Sequence, residues 1–304
     1  MLPSKDVVAI NEVVLRDGLQ NEPNFVSTEE KIRLANSLSR TGVRRIEVSS
    51  FVSPKAIPNL RDAEDVFRGI ERVPGVTYTA LVPNERGIQR AIECKVDEVN
   101  LVMSIGEKHN LKNLRMTCAE SLAQFKGIMG ALAGTAISVN GTLATTFGCP
   151  FEGPQPVERV LWAIDTYLAL GITGITIADT IGVANPRQVA KLVALIRKHH
   201  EDLPLTLHLH NTRDMGLANA MAAVDEGIRS FDSALGGIGG CPYAPGATGN
   251  VCTEDLVHML HRCGIDTGVD LEALIDLSGK LSDILGHQVP GYVVKSGTSS
   301  RLYA

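Results

Sequence analysis

The chain has 304 residues, of which 44% are hydrophobic, and its formal net charge is −5. This length and composition can bury a large core, and the acidic balance offers no positive field for nucleic acid phosphates. No run approaches the roughly 18 apolar residues of a membrane span and the start lacks a secretory signal, so we expect a cytoplasmic protein with neither nucleic acid nor membrane partners.

Short β-branched runs alternate with longer helical patterns along nearly the whole chain. The eight runs are 7–15, 44–49, 76–82, 98–103, 136–142, 172–178, 205–210 and 228–235. Nearly continuous apolar strands separated by helices indicate a parallel sheet covered by helices, which is an α/β fold. Eight such units predict a closed (β/α)8 TIM barrel. We prefer the barrel to an open doubly wound sheet because no Gly-x-Gly-x-x-Gly follows the first run.

The helices carry their own start and stop signals. Ser27 and Thr117 each begin a capping box, Asn185 precedes a proline at the first helical position, and Gly42 follows an apolar helical stripe as a stop. After the eighth strand, residues 253–263 and 271–285 have helical patterns. We therefore expect one domain over residues 1–304, with the barrel at about 7–265 and a short C-terminal helical appendage at about 266–304.

Active groups in such barrels lie where the strands end, so polar residues at these ends are candidate site residues. The first strand ends in Arg16 and Asp17, followed by Gly18, and the second carries Glu47 among apolar residues. A carboxylate inside a barrel is costly unless it is paired, and Arg16 on the neighbouring strand is the natural partner of Glu47. The alternatives are a surface ion pair at a turn and a purely structural buried pair.

The sixth and seventh strands end in further candidates. Asp179 ends the sixth strand, where a helix-capping role is a serious alternative. His208 and His210 are two residues apart on the seventh strand, so their side chains point to the same face. Such a pair can bind one metal ion, or it can be a hydrogen-bonded polar face.

A glycine-rich segment follows the eighth strand over residues 235–250. Its six glycines allow the loop to move and to approach a ligand closely, with Cys241 near its middle and Asn250 at its far end. A second Gly-Cys-Pro-aromatic sequence contains Cys149. We expect Cys149 to be purely structural.

These groups together suit a divalent cation. Asp17, His208, His210 and a carbonyl from Asn250 would make a cluster of two oxygens and two nitrogens that leaves positions open for water or substrate. This mixture favours Mg²⁺ or Mn²⁺ used as a Lewis acid, with Zn²⁺ as the alternative. The six cysteines lack Cys-x-x-Cys spacing, which argues against a zinc cluster and a disulfide scaffold.

Several of these stretches resemble the 3-hydroxy-3-methylglutaryl-CoA lyase family. They are RDGLQNE at 16–22, SFVSPK at 50–55, DTIG at 179–182, HLH at 208–210 and GGCPYA at 239–244. The resemblance spans about residues 7–255 in the family's order. It implies a metal-dependent barrel that cleaves 3-hydroxy-3-methylglutaryl-CoA into acetyl-CoA and acetoacetate, acts on an acyl-CoA thioester and forms a homodimer.

The resemblance also implies roles for individual residues. Asp17, His208, His210 and Asn250 become metal ligands. Arg16 would stabilise the enolate oxygen that develops on the thioester, and Glu47 would support Arg16 and the surroundings of the metal. Cys241 would be the thiol of the mobile loop, and we expect Gln20 and Asn21 of the first motif to contact the cofactor.

The chemistry requires the same residue types. Breaking the bond requires removal of the tertiary hydroxyl proton and a place for negative charge on the departing acetyl thioester. A guanidinium can hold that charge. We expect His208 or Asp179 to assist the proton removal, and Cys241 to help protonate the enolate carbon.

Three departures from the family pattern qualify the transfer. Asn211 follows the second histidine where the family often has Asp, so the surroundings of the metal would be tuned differently. Phe151 replaces a tyrosine near the expected mouth. Pro23 stands where animal members have a lysine that could meet CoA phosphates.

Other functions remain open at this point. The nearest is a lyase for another branched 3-hydroxyacyl-CoA, such as citramalyl-CoA or an isohexenyl analogue. Claisen condensing enzymes, such as isopropylmalate and homocitrate synthases, resemble this barrel, but they typically carry Glu where this chain has Leu19 and have a long regulatory extension. An Fe(II) oxygenase with a two-histidine, one-carboxylate site and a non-catalytic binder are the remaining alternatives.

Overall fold

The computed structural model describes residues 7–240 and 249–302, and these residues close an eight-stranded parallel barrel. Each strand pairs with its neighbours in chain order, and β1 also pairs with β8. The strands are β1 (Ala9–Glu12), β2 (Arg45–Ser50), β3 (Thr77–Leu81), β4 (Glu98–Ser104), β5 (Ser138–Ala144), β6 (Gly174–Asp179), β7 (Leu205–Leu209) and β8 (Ser230–Ser233). The predicted (β/α)8 barrel is therefore confirmed.

Helices connect the strands and continue beyond the last one. They are α1 (Thr28–Leu38), α2 (Ala63–Gly69), α3 (Glu85–Glu93), α4 (Glu107–Leu114), α5 (Cys118–Leu132), α6 (Val157–Ala169), α7 (Pro186–His199), α8 (Gly216–Asp225), α9 (Thr253–Arg262), α10 (Leu271–Leu285) and α11 (Val293–Ser296). Across the two described ranges, no helix combines the length and apolar character that crossing a bilayer requires.

The predicted helix starts are observed, although Ser27 forms only half of its predicted capping box. The side chains of Ser27 and Asn185 accept the backbone N–H three residues further on, at 3.2 and 3.0 Å. Thr117 and Glu120 form a complete capping box, in which each side chain bonds to the other residue's backbone. These contacts satisfy N–H groups that the first turn of a helix leaves without partners.

The predicted stop at Gly42 needs a correction. Helix α1 already ends at Leu38. Gly42 has φ +96°, and a Cβ atom there would lie 2.0 Å from the carbonyl oxygen of Gly268. The glycine therefore permits a close approach of two backbones, and does not terminate the helix.

The first strand is shorter than the run predicted over 7–15. It stops at Glu12, and residues Val14–Gly18 form a π-helical turn. The backbone N–H groups of Arg16 and Asp17 both point at the carbonyl of Val13, at 3.2 and 2.8 Å. Val14 and Leu15 are fully buried, so the apolar run gave no sign that the strand had ended.

The apolar core lies between the sheet and the helices, while the inside of the barrel is polar. Phe125 of α5 and Tyr167 of α6 are both buried and meet edge to face, with ring centroids 5.8 Å apart. Buried polar side chains from several strands face each other inside the barrel; among them are Asn11, Glu47, Glu98, Asn100, Asn140 and Thr176, and the half-buried Asp232 lies beside them. Because buried polar groups are costly unless they are hydrogen-bonded, this interior must be organised by hydrogen bonds.

Glu12 is fully buried and ties β1 to the segment that follows β8. Its Oε1 accepts the N–H groups of Val14 and Leu235, each at 2.9 Å. Its Oε2 lies 2.7 Å from the Thr253 hydroxyl, which is also 2.9 Å from Ser233 Oγ. Burial raises the pKa of Glu12 to about 8, against the lowering effect of these hydrogen bonds. A protonated Glu12 satisfies the whole group, because it donates to Thr253 while the single Thr253 proton goes to Ser233.

We predict that replacing Glu12 with Gln changes the pH dependence of stability. The folded protein holds a proton on Glu12 up to about pH 8, whereas the unfolded chain releases it near its ordinary pKa of 4.5. Between these values the folded state binds the extra proton, so the free energy of unfolding of the wild type falls as the pH rises, by up to about 1.4 kcal/mol per pH unit. Glu12→Gln lacks this titration.

Urea unfolding of both proteins at pH 5.5, 7.0 and 8.5 measures the effect. We expect the variant to gain stability relative to the wild type from pH 5.5 to 8.5. A stability difference that does not change with pH would contradict a neutral Glu12.

Candidate active site

The turn after β1 brings Arg16 and Asp17 to the mouth of the barrel. Gly18 ends this turn, and a Cβ atom there would lie 3.0 and 3.1 Å from the side chains of Val14 and Ile238. Asp17 is buried, although it belongs to a loop at the end of a strand. The tight turn therefore orients the Asp17 carboxylate inward. The alternative prediction, a surface ion pair at this turn, is wrong.

The two histidines of β7 face the same point, as their spacing predicts. Nε2 of His208 lies 3.1 Å from Nε2 of His210, and both atoms are 3.8 Å from Oδ2 of Asp17. All three residues are buried. Two ring nitrogens and one carboxylate oxygen thus converge on a single position at the barrel mouth.

Arg16 connects this cluster to Glu47 on β2. Its Nε donates to Glu47 Oε2 at 2.6 Å, and its Nη1 donates to Oδ1 of Asp17. Burial alone would raise the pKa of Asp17, but the guanidinium of Arg16 and the two histidines hold it well below its usual range. Asp17 therefore remains an anion, which is the form that binds a cation.

A chain of hydrogen bonds inside the barrel fixes Glu47 in turn. Asn100 Nδ2 donates to Glu47 Oε1 at 3.2 Å, and Asn100 Oδ1 accepts from Asn140 and Thr142 at 3.1 and 2.8 Å. Because its carbonyl is occupied by two donors, the Asn100 amide must present its NH₂ to Glu47. The polar interior thus supports the guanidinium at the mouth.

Asn250 also reaches the cluster, but through its amide nitrogen. Nδ2 donates to Oδ2 of Asp17 at 2.8 Å and to the carbonyl of Ile238 at 3.1 Å. Oδ1 is buried and has no hydrogen-bond partner among the described residues. A role for the Asn250 carbonyl as a metal ligand requires a half-turn of the amide, which exchanges its oxygen and nitrogen.

The residues present fit a divalent cation. One ligand atom from each of Asp17, His208 and His210 lies within 4.8 Å of the others. Burial and the neighbouring His208 lower the pKa of His210 to about 4, so its imidazole is neutral and retains a lone pair. Nε2 of His210 is the ring nitrogen that faces Asp17. Nδ1 has no hydrogen-bond partner in the described parts of the chain. One anionic oxygen with two imidazole nitrogens is a donor set for a divalent metal.

Asp232 on β8 is a site residue that the sequence did not reveal. Its Oδ2 lies 3.3 Å from Nδ1 of His208, and the barrel register pairs these two residues directly. Burial lowers the pKa of His208, but the hydrogen bond to Asp232 and the charge of Asp17 outweigh it and raise that pKa overall. A single Asp in a short strand carries no motif. Only the closed barrel, which makes β7 and β8 neighbours, identifies it.

The structure does not bring Asp179 into the cluster, in contrast to its predicted catalytic role. Its two carboxylate oxygens accept the backbone N–H groups of Val183 and Ala184, each at 2.9 Å. Its strand neighbours Ala178 and Thr180 line the cavity described below, whereas Asp179 points to the other face. Asp179 therefore fixes the loop after β6 by accepting its backbone N–H groups. This role is similar to the helix-capping role that was the alternative prediction.

Asn211 likewise organises a loop. Its Oδ1 accepts the N–H of Gly216 at 2.9 Å, and its Nδ2 donates to Asp214 at 3.3 Å. These contacts fix the start of α8 and involve neither imidazole. The expected tuning of the metal surroundings by Asn211 has no contact to support it.

A cavity of about 1,000 Å³ opens above the cluster. Its lining includes Arg16, Asp17, Gln20, Asn21, His208, His210 and Asp232, together with the basic residues Lys55, Lys112 and Arg115. Gln20 Nε2 donates to Asp17 Oδ1 at 3.2 Å, and Asn21 Nδ2 donates to the carbonyl of Gly240 at 2.5 Å. The cavity is large enough for an organic substrate with an extended arm.

The remaining residues singled out in the sequence lie in loops, and the structure describes all of them except one. Cys241 lies outside the described residues. Cys149 is buried in a tight turn, where its Sγ accepts the N–H of Phe151 at 3.4 Å, consistent with a structural role. The Phe151 ring lies 6.0 Å from the His109 ring, with Lys112 Nζ 5.1 Å above it. Pro23 is exposed.

Comparisons with known proteins give a consistent result. A sequence model of the HMGL-like family matches residues 7–280. The chain is 44% identical over 289 residues to a hydroxymethylglutaryl-CoA lyase of Bacillus subtilis, covering 95% of this chain and 97% of that protein. It is 42% identical over 302 residues to an (R)-citramalyl-CoA lyase of Chloroflexus aurantiacus, covering 96% and 95%.

A solved structure matches the fold equally well. It is an HMG-CoA lyase from Acinetobacter baumannii in complex with coenzyme A and 3-methylmalate, and it superposes with a TM-score of 0.96 at 51% sequence identity. The match covers 100% of this chain and 99% of the other.

We predict that the cluster binds one Mn²⁺ ion and that His210→Ala weakens this binding by at least about 100-fold. Loss of a residue that hydrogen-bonds to a metal ligand typically costs 10 to 100-fold in affinity, and loss of the ligand itself costs at least as much. Titration of the metal-free proteins with Mn²⁺, followed by electron paramagnetic resonance of the free ion, measures the affinity. His199→Ala is the control, because His199 is exposed at the end of α7. Equal Mn²⁺ affinity in His210→Ala and the wild type would contradict the site.

Proposed function

The chain belongs to the HMGL-like family, and from this premise we propose that it is a carbon–carbon lyase that cleaves 3-hydroxy-3-methylglutaryl-CoA into acetyl-CoA and acetoacetate. One observation carries the proposal. Asp17, His208 and His210 converge at the floor of a cavity that Arg16 also lines. This combination supplies a cation site beside a fixed positive charge, which the cleavage of a 3-hydroxyacyl thioester requires.

Asp17, His208 and His210 would hold the divalent ion, with Asn250 as a further ligand after the half-turn of its amide. We propose Mg²⁺ or Mn²⁺, with Zn²⁺ as the alternative, because the ligands are oxygens and imidazole nitrogens without a thiolate. When bound, such an ion lowers the pKa of a hydroxyl group that it coordinates and fixes the substrate in place.

Arg16 would hold the negative charge that develops on the thioester oxygen as the carbon–carbon bond breaks. Its guanidinium is already fixed by Glu47 and Asp17, so it needs little reorganisation during the reaction. The charge of Glu47, fixed by Asn100, keeps the guanidinium at the mouth. Replacement by Lys would lose the fork of donors that contacts both carboxylates.

The base that removes the hydroxyl proton must line the cavity and keep a free lone pair. Asp179 fails the first condition, and both ring nitrogens of His208 are engaged if Nε2 binds the cation. Among the described residues, the carboxylates that line the cavity are Asp17 and Asp232. Arg16 and the two histidines hold the pKa of Asp17 well below its usual range, so Asp17 is a weak base. We therefore propose Asp232 as the proton acceptor, a role that it would have in addition to its contact with His208.

The opposite step, protonation of the enolate carbon, falls to Cys241 in our proposal. A thiol is an acid of suitable strength for a carbanion-like centre, and Cys241 belongs to the glycine-rich segment that begins above the cluster. Gly237 and Gly239 of this segment have positive φ values of 73° and 89°. Asn21 bonds to Gly240, the residue before Cys241.

The basic residues of the cavity suit the coenzyme A arm. Lys55, Lys112 and Arg115 line it together with the cluster, and they offer positive charge to phosphate groups. In our proposal the acyl group lies on the cluster and the arm extends along these residues. A homodimer is our further expectation from the family resemblance.

Citramalyl-CoA is the second candidate substrate, because an (R)-citramalyl-CoA lyase is nearly as similar to this chain as the hydroxymethylglutaryl-CoA lyase. The two thioesters differ by one methylene between the tertiary carbon and the free carboxylate. A methylene changes discrimination by only about 10 to 200-fold, so both reactions share the cluster and differ in the fit of the acyl end.

The test of the proposal is an assay of purified protein with Mg²⁺ or Mn²⁺ and a panel of 3-hydroxyacyl-CoA thioesters. We expect acetyl-CoA release from 3-hydroxy-3-methylglutaryl-CoA, with a kcat/KM at least about tenfold above that for citramalyl-CoA. A reversed ratio would assign the second substrate, and no release from any thioester would contradict the lyase function.

We predict that Cys241→Ser lowers kcat by about 100-fold while Mn²⁺ affinity stays unchanged, because a positioned acid contributes a factor of this size and the thiol is not a ligand. Cys263→Ser is the matched control, since Cys263 is exposed beyond α9. Full turnover in Cys241→Ser would show that this thiol does not protonate the enolate.

A further inference from the structure

The two histidines of the cluster have different surroundings. Nδ1 of His208 is hydrogen-bonded to Oδ2 of Asp232 at 3.3 Å, whereas Nδ1 of His210 is buried without a hydrogen-bond partner among the described residues. The rings are otherwise equivalent, because each presents Nε2 at 3.8 Å from the same Asp17 oxygen. Asp232 therefore acts on one of the two predicted ligands.

Asp232 is itself held in place from behind. Its Oδ1 accepts from Asn11 Nδ2 at 2.9 Å, and the same nitrogen donates to Ser230 Oγ at 3.1 Å. Thr206 Oγ1 on β7 donates to Ser230 Oγ at 2.9 Å. These contacts join β1, β7 and β8, so the carboxylate cannot rotate away from His208 without breaking the bond to Asn11.

We propose that Asp232 is a positioning residue for the cation site, which fixes the tautomer and the ring orientation of His208. A carboxylate accepts, so it selects the form of His208 that carries its proton on Nδ1. The lone pair then lies on Nε2, 3.1 Å from Nε2 of His210 and facing Asp17. The inference rests on the metal site of the proposed function, but it concerns metal binding and not the substrate.

The charge of Asp232 also matters. An anionic acceptor behind an imidazole makes the opposite nitrogen a better electron donor to a metal, and such partners typically contribute 10 to 100-fold to metal affinity. His210 lacks a partner of this kind in the described structure. We therefore infer that His208 is the stronger of the two imidazole ligands, and that Asp232 is the reason.

The experiment compares Mn²⁺ affinity of the metal-free wild type, Asp232→Asn and Asp232→Ala, measured from the electron paramagnetic resonance of free Mn²⁺. We expect about tenfold weaker binding in Asp232→Asn, which keeps a neutral acceptor, and up to about 100-fold weaker binding in Asp232→Ala. Asn11→Ala, which releases the other carboxylate oxygen, should give a smaller loss. Thermal unfolding in EDTA checks that each variant is folded.

Glu98→Gln is the matched control. Glu98 is another carboxylate inside the barrel, but its hydrogen-bond and ion-pair partners are Arg45, Thr79 and Ser138, and it contacts no predicted ligand. This variant removes the same charge from the same interior, and we expect its Mn²⁺ affinity to stay within about twofold of the wild type.

Three results would overturn the inference. One is an unchanged affinity in both Asp232 variants, and another is an equal loss in Glu98→Gln, which would attribute the effect to interior charge in general. A wild type that binds no Mn²⁺ would also overturn it. Loss of affinity in the Asp232 variants without cleavage of any thioester would support the role of Asp232 and contradict only the proposed lyase function.

Discussion

The site depends on one carboxylate that stays ionised inside the barrel mouth. Asp17 is buried, and burial opposes its charge, but Arg16 on one side and the imidazoles of β7 on the other hold its pKa low. A buried anion of this kind needs a positive charge or a hydrogen-bond donor at each oxygen. Arg16 satisfies Oδ1, while Oδ2 faces the two ring nitrogens and Asn250. The same arrangement that stabilises Asp17 therefore prepares a place for a cation.

The interior of the barrel is filled by polar side chains that support this arrangement, and not by apolar packing. The hydrogen bonds from Asn140 through Asn100 to Glu47 end at Arg16, and those from Ser230 through Asn11 to Asp232 end at His208. Both sets begin deep in the barrel and end at the mouth. Since the apolar core lies outside the sheet, the polar interior orients the site without being required to drive collapse.

The sequence predicted much of the fold and the cluster, because both depend on local periodicity. The spacing of His208 and His210 determined their common face, and the position of Asp17 just beyond the first apolar run placed it at the barrel mouth. What failed needed three-dimensional information: Asp232 becomes a neighbour of His208 only when β8 closes onto β7, and the orientation of Asp179 depends on the loop that it caps. The sequence did not reveal the end of β1, because Val14 is apolar and buried in the turn, as a residue of a continuing strand would be.

We expect a single cation at the barrel mouth, bound by Asp17 and both imidazoles. The decisive experiment is a crystal of the protein soaked in MnCl₂ and measured at the manganese absorption edge. We expect one strong anomalous peak at about 2.2 Å from a carboxylate oxygen of Asp17 and from Nε2 of His208 and of His210. An anomalous map without a peak there, or with its strongest peak bound by other side chains, would contradict it.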